Sequence, residues 1–140
     1  MNSDADCIFC RILNGEIPSF ALYDDERTFA FMDINPANTG HALVIPKFHA
    51  PNIYEIPDDW LSACIVTTRK VALAVKNALP LDGINILQAN GEGAAQSVMH
   101  FHFHVVPRHN RDDLKLNWEP VPGDMDGIAA TGEKIRAEFG

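Results

Sequence analysis

The chain has 140 residues, 46% of them hydrophobic and 21% charged, enough for one ordinary core and too few for two. Its formal net charge of −8, from 19 acidic and 11 basic side chains, argues against sequence-independent binding to duplex nucleic acid, which needs many Lys and Arg contacts to phosphate. The polar, acidic start Met1-Asn2-Ser3-Asp4-Ala5-Asp6 and the absence of any bilayer-length apolar run lead to the expectation of a cytoplasmic protein with no membrane attachment.

In chain order, Asp4 to Gly15 reads as a short helix capped by Ser3 or Asp4, with Ile8, Phe9, Ile12 and Leu13 as its apolar face and Asn14-Gly15 as its stop. Cys7-Ile8-Phe9-Cys10 lies within it, with both sulfurs on one side of a turn. A redox pair, two small core residues and half of a four-ligand zinc site are the competing readings, the first weakened by the lack of a preceding strand. The odd total of three cysteines argues against a disulfide framework. Phe20–Tyr23 and Thr28–Asp33 read as strands around the turn Asp24-Asp25-Glu26, and His41–Pro46 as a further strand after the loop Asn35–Gly40. Asp33, where strand becomes loop, is either a turn cap or an acceptor for vicinal hydroxyls such as those of a ribose.

Pro57-Asp58-Asp59 opens one long helix with acids at its positive end. Its stripe Leu61, Cys64, Ile65, Thr68, Val71, Ala72, Val75 and Leu79 faces the core, and Pro80 closes it. Ile84–Ala89 reads as a strand. The small-residue loop Asn90–Ser97 lets backbone N–H groups approach an anion, with Gln96 and Ser97 as side-chain donors. It leads into His100-Phe101-His102-Phe103-His104-Val105-Val106. Strict alternation predicts a strand with three imidazoles on one face and Phe101, Phe103 and Val105 on the other. Strand rise spaces those imidazoles about 6–7 Å apart, beyond direct contact but within reach of one shared phosphate or metal. Leu114, Leu116 and Trp118 then alternate, residues 119–123 form a proline-rich connector, and Asp126–Phe139 reads as an amphipathic helix with Ile128, Ile135 and Phe139 on one side.

The histidine run resembles the His-φ-His-φ-His-φ-φ signature of the histidine triad (HIT) superfamily. Cys7-Ile8-Phe9-Cys10-Arg11-Ile12 with Gly15-Glu16-Ile17-Pro18 is similar to the amino-terminal segment of its bacterial, Hint-like, CxxC zinc-containing members. Phe31–Pro36 through Gly40–Lys47 resembles their nucleotide-binding hairpin, and Asn90-Gly91 and Gln96-Ser97-Val98 match as well. The resemblance implies an α+β fold, a five-stranded antiparallel sheet with one long packed helix and a short amino-terminal helix, in one domain spanning residues 1–140. Its core would run from about residue 7 to 108, with residues 109–140 as a carboxy-terminal extension. It also implies a homodimer.

Family chemistry implies transfer of a nucleoside monophosphate to His102, then release to water. His104 would bond phosphate oxygens, and Ser97 would approach the leaving group. Gln96, Asn90 and loop amides would face the phosphate, and Asp33 the ribose. Phe9, Ile12, Ile17, Phe31 and Ile34 would enclose a purine, with His41 beside the catalytic strand as a supporting member of the catalytic set. His at position 104, rather than Gln, favours hydrolysis over transfer to a sugar phosphate. Cys7, Cys10, His49 and His100 match the family's structural zinc ligands, implying one zinc per chain. The implied substrate is a purine nucleoside phosphoramidate or related adenylylated molecule. The alternatives are a diadenosine polyphosphate, suggested by Val106-Pro107-Arg108, and a non-catalytic AMP-type sensor; a metal-handling protein is a further rival. Trp118 lines the pocket of its own or a partner subunit, or simply packs at a dimer edge.

Overall fold

The computed structural model describes residues 3–140. Five short runs rich in β-branched and aromatic residues pair into one antiparallel sheet: β1 (Ala21–Asp24), β2 (Thr28–Met32), β3 (Ala42–Pro46), β4 (Gly83–Leu87) and β5 (Phe103–Arg108). Their spatial order is β1-β2-β3-β5-β4. β3 is central and wholly buried, and its alternation feeds two cores. Ala42 and Val44 join Ala30, Val105, Val71 and Val75 beneath α2 (Asp58–Ala78), while Leu43 and Ile45 join Phe31, Phe9 and the cysteines beneath α1 (Ile8–Leu13). A third cluster, Ala50, Ile56, Cys64 and Phe101, anchors the loop that leads into α2. The α+β architecture expected from the resemblance is therefore present, with one long helix on one face of the sheet and a short one on the other.

Several local expectations are corrected. α1 starts at Ile8 rather than Asp4, because the Cys7 sulfur, not Ser3 or Asp4, accepts the Cys10 N–H at 3.4 Å and caps the helix. Ile8 is half exposed, so the buried side of α1 is Phe9 and Cys10. On α2 the buried positions are Cys64, Thr67, Thr68, Val71 and Val75, and Ile65 faces outward. Thr67 tolerates burial because its hydroxyl bonds that of Thr28 at 2.6 Å. The amphipathic carboxy-terminal helix α3 (Met125–Ala137) buries none of its residues, and Ile128, Ile135 and Phe139 are exposed.

The histidine run is only half strand. β5 begins at Phe103, since the Phe101 N–H is taken by the Ala50 carbonyl at 2.7 Å and the His100 carbonyl by the His102 ring. His100 consequently parts company with His102 and His104. Gly40 brings the β2–β3 hairpin against the rest: at φ +94° a side chain there would be strained and would run into Leu79 and Pro107. At the far end of β5, Arg108 grips the Asp112 carboxylate with two N–H groups at 2.8 and 2.9 Å and also reaches Asn85, Asn117 and the Leu114 carbonyl. That guanidinium holds the Asp112 carboxyl well below the usual carboxylate range.

Phe101 is fully buried against Ala50, Ile56 and Cys64, with its ring edge on Phe103. Phe101→Ala is expected to lower the unfolding free energy by about 3–5 kcal/mol in urea titration, and a loss below about 1 kcal/mol would contradict this packing.

Candidate active site and metal centre

Two groups of side chains meet on the α1 side of the sheet. In the first, the turn of α1 presents both sulfurs inward. His100 Nδ1 stands 3.4 Å from Cys7 Sγ, 3.6 Å from Cys10 Sγ and 3.2 Å from His49 Nδ1, and His49 Nδ1 is 3.4 Å from Cys10 Sγ. Bonds of about 2.3 Å to sulfur and about 2.0–2.1 Å to nitrogen give tetrahedral edges of about 3.3–3.8 Å, close to this spacing, so the four atoms fit a zinc ion. The His100 Nε2–H donates to the Pro46 carbonyl at 3.0 Å, which leaves the Nδ1 lone pair toward the sulfurs. Burial pushes the His100 imidazole down to about 4 and the Cys7 thiol up. The ring is thus neutral and ready to coordinate, while a thiolate there calls for a cation beside it.

The second group lines a cavity of about 400 Å³, inside the range of about 300–1,000 Å³ typical of small-molecule sites. Phe9, Ile12, Ile17 and Phe31 form an apolar wall; Asp33 and Ile34 border it, and Ser97, His102, His104 and His41 supply its polar side. His102 Nδ1 lies 2.6 Å from the His100 carbonyl. A carbonyl only accepts, so Nδ1 carries the proton and Nε2 carries the lone pair. A second chain of bonds fixes the neighbouring rings. The Ala37 N–H donates to His41 Nδ1 at 3.0 Å, so the neutral ring is protonated at Nε2, which donates to His104 Nδ1 at 2.9 Å. His104 then bears its proton on Nε2, an N–H donor. Burial lowers His41, His102 and His104, the last to about 4, so all three are neutral at pH 7; the Asp33 charge opposes this only in part.

Asp33, His41 and His104 also stand close enough to be read as a metal trio, with His41 Nε2 3.4 Å from the Asp33 carboxylate. The Ala37 amide argues against it. A metal on His41 Nε2 would require Nδ1 to be either protonated, against that donor, or stripped of its proton altogether. The two rings belong instead to a hydrogen-bonded relay from Ala37 through His41 to His104, with Asp33 beside it.

Of the residues singled out from sequence, the structure gathers Phe9, Ile12, Ile17, Phe31, Asp33, Ile34, Ser97, His41, His102 and His104 around one cavity, and Cys7, Cys10, His49 and His100 around one point. The rings of His102 and His104 approach to 4.8 Å between centroids, closer than strand spacing suggests, because they tilt together at 63°. Asn90 and Gln96 do not line the cavity. The Asn90 carbonyl accepts from the Ile53 N–H, while Gln96 is buried, accepting from Gly91 N–H and donating to the Pro51 and Val98 carbonyls. Both are spent on bracing the loop. Trp118 is exposed and outside the cavity. Sequence reasoning missed the Ala37 amide, which meets the His41 ring four residues on, and the Pro46 carbonyl, which meets the sequence-distant His100 ring. Turn composition marked the loop around Ala37 but could not say which amide points where.

A family model described as the HIT domain matches residues 14–111. An adenosine 5'-monophosphoramidase of Candida albicans is 39% identical, across 99% of this chain and 95% of that protein. A crystal structure from Streptococcus mutans UA159 superposes with TM-score 0.93 at 37% identity, covering 99% of this chain and 88% of that one. A zinc-bound histidine triad family protein from Mycobacterium smegmatis superposes with TM-score 0.75 at 34% identity, covering 94% and 97%.

Because His104 is held near 4 in the fold and returns to about 6.5 when unfolded, the unfolded chain binds more protons between those values. Stability is therefore expected to fall as pH drops from about 6.5 toward 4, and His104→Gln should flatten that slope in denaturant titrations. An equally steep slope in the variant would contradict the burial assigned to this ring.

Proposed function

The chain belongs to the histidine triad (HIT) family, and from that premise we propose that it is a nucleotide hydrolase cleaving at the α-phosphate of a purine nucleoside phosphoramidate or related adenylylated molecule. One observation carries the reading: His102 lines the cavity with its Nδ1 proton tied to the His100 carbonyl, so its Nε2 is an unprotonated nucleophile. Nε2 attacks the α-phosphorus, a P–N bond forms, and the bond to the leaving group breaks with its electron pair on the departing atom, which takes up a proton from solvent. The Ser97 hydroxyl donates a hydrogen bond on that side. The His104 Nε2–H bonds the phosphate oxygens as charge builds, its direction set by His41 and Ala37. Water then attacks phosphorus and gives up a proton to solvent, AMP leaves and His102 Nε2 regains its lone pair. Asp33 holds the ribose hydroxyls and the apolar wall takes the base. Asn90 and Gln96 act from behind, holding the loop that faces the phosphate.

The diadenosine polyphosphate reading draws on Val106-Pro107-Arg108, but Arg108 is engaged with Asp112 and lies outside the cavity. It is the weaker reading. The Cys7, Cys10, His49 and His100 set, closed and tetrahedral, suits one structural zinc per chain; when bound, that ion would tie α1 to the start of the histidine run and leave no position open for chemistry. A metal-handling protein would need ligands for further ions, and among the described residues the other candidate group, Asp33, His41 and His104, has its His41 ring oriented by the Ala37 amide instead. A homodimer fits the outer strand β4, beside which Ile65, Val66 and Ile86 are exposed. Among the described residues no helix is long and apolar enough to cross a membrane.

Incubated with adenosine 5'-phosphoramidate, the wild type should release AMP and, quenched early, carry a nucleotidyl mass. His102→Ala should lose about three orders of magnitude or more in rate and show no adduct. Equal turnover by the two would overturn the assignment. Protein purified without added metal should contain close to one zinc per chain, and Cys7→Ser should lower both zinc content and melting temperature; a ratio near zero with unchanged melting would remove the zinc reading.

A further inference from the structure

Residue 100 belongs to both groups at once. Its side chain contributes Nδ1 to the Cys7–Cys10–His49 cluster, and its main-chain carbonyl, 2.6 Å from His102 Nδ1, sets the tautomer of the ring that lines the cavity. The two sites therefore share a residue rather than a long path. Phe9 is a second bridge. It sits between the two cysteines in the first turn of α1, lines the cavity, and lays its ring edge against His102 at 5.1 Å, Phe31 at 5.5 Å and His100 at 5.8 Å. Any shift of α1 or of residue 100 that follows a change at the four ligand atoms is felt by the His102 ring through an acceptor and a wall. The Nε2 side of His102 keeps its aim only while both stay put.

We propose that the Cys7–Cys10–His49–His100 set positions His102 as well as bracing the fold, so that zinc in that set and AMP in the cavity each bind more tightly when the other is present. The proposal rests on reading the cavity as a nucleotide site. His100 and Phe9 act here as positioning residues: neither is asked to touch the reacting phosphorus. Reciprocity is required by linkage, since an ion that holds the AMP-competent arrangement must itself be held more firmly by AMP.

The test uses the zinc-loaded full chain and measures how zinc divides at equilibrium between the protein and a colorimetric chelator, with and without saturating AMP, with AMP binding measured separately by calorimetry. Zinc affinity should rise by about five-fold or more with AMP, the low end of ordinary coupling between sites. Phe9→Leu, which keeps all four ligands, should bring that ratio toward one. In ¹⁵N spectra the zinc-loaded protein should show His102 protonated at Nδ1, and stripping the metal should mix the tautomers; where stripping unfolds the chain, the zinc affinities decide. If AMP and zinc both bind and the zinc affinity is the same with and without AMP, the coupling is wrong and the nucleotide site stands. An unchanged ratio in Phe9→Leu removes the Phe9 route. If calorimetry detects no AMP binding, the site reading fails and the coupling falls with it.

Discussion

The structure turns on one hydrogen bond, from the Nδ1–H of His102 to the carbonyl two residues before it. A neutral imidazole has two tautomers of similar energy, and only one offers a lone pair at Nε2. A backbone carbonyl at 2.6 Å chooses that tautomer, because it can only accept. The same bond accompanies the late start of β5: the His100 carbonyl is occupied by a side chain and the Phe101 amide is donated to Ala50, so neither enters the sheet ladder. A departure from regular strand geometry and the orientation of a reactive ring meet in one contact.

Around that bond, burial does most of the electrostatic work. Three imidazoles crowded on one face would repel if charged, and desolvation keeps them neutral instead. Neutral rings can then be ordered by hydrogen bonds into a directed chain from the Ala37 amide through His41 to His104. Two adjacent histidines thereby acquire opposite character at Nε2, one a lone pair and the other an N–H. Attack on phosphorus and stabilisation of its oxygens need that division of labour.

The short α1 helix matters beyond its length. A six-residue helix has little stability alone. Here its sulfur cap, its buried Phe9 and its two cysteines tie it to the floor of the sheet, and it becomes a wall of the cavity. The carboxy-terminal helix is the opposite case: it has an amphipathic pattern and buries nothing within its own chain. Periodicity reports that a surface could be covered, not that it is.

The sequence by itself determined the strands and the long helix, since period-two and period-3.6 patterns are local properties of the chain; it made the α+β sheet legible only through resemblance to a family. It placed Cys7, Cys10, His49 and His100 together, and Asp33, Ser97, His102 and His104 together, only through resemblance to a family. It erred where partners lie far apart: Thr67 buried through Thr28, Ile65 turned outward, Asn90 and Gln96 consumed by loop carbonyls and amides. Tertiary structure alone decided which nitrogen of each histidine carries a proton, because that choice belongs to the donors and acceptors each ring meets in the closed chain, near in sequence for His41 and His102 and distant for His100 and His104. It alone brought a member of the Cys7–Cys10–His49 cluster and the anchor of the His102 ring together in residue 100, since a side chain and its own carbonyl find different partners only once the chain has closed around both.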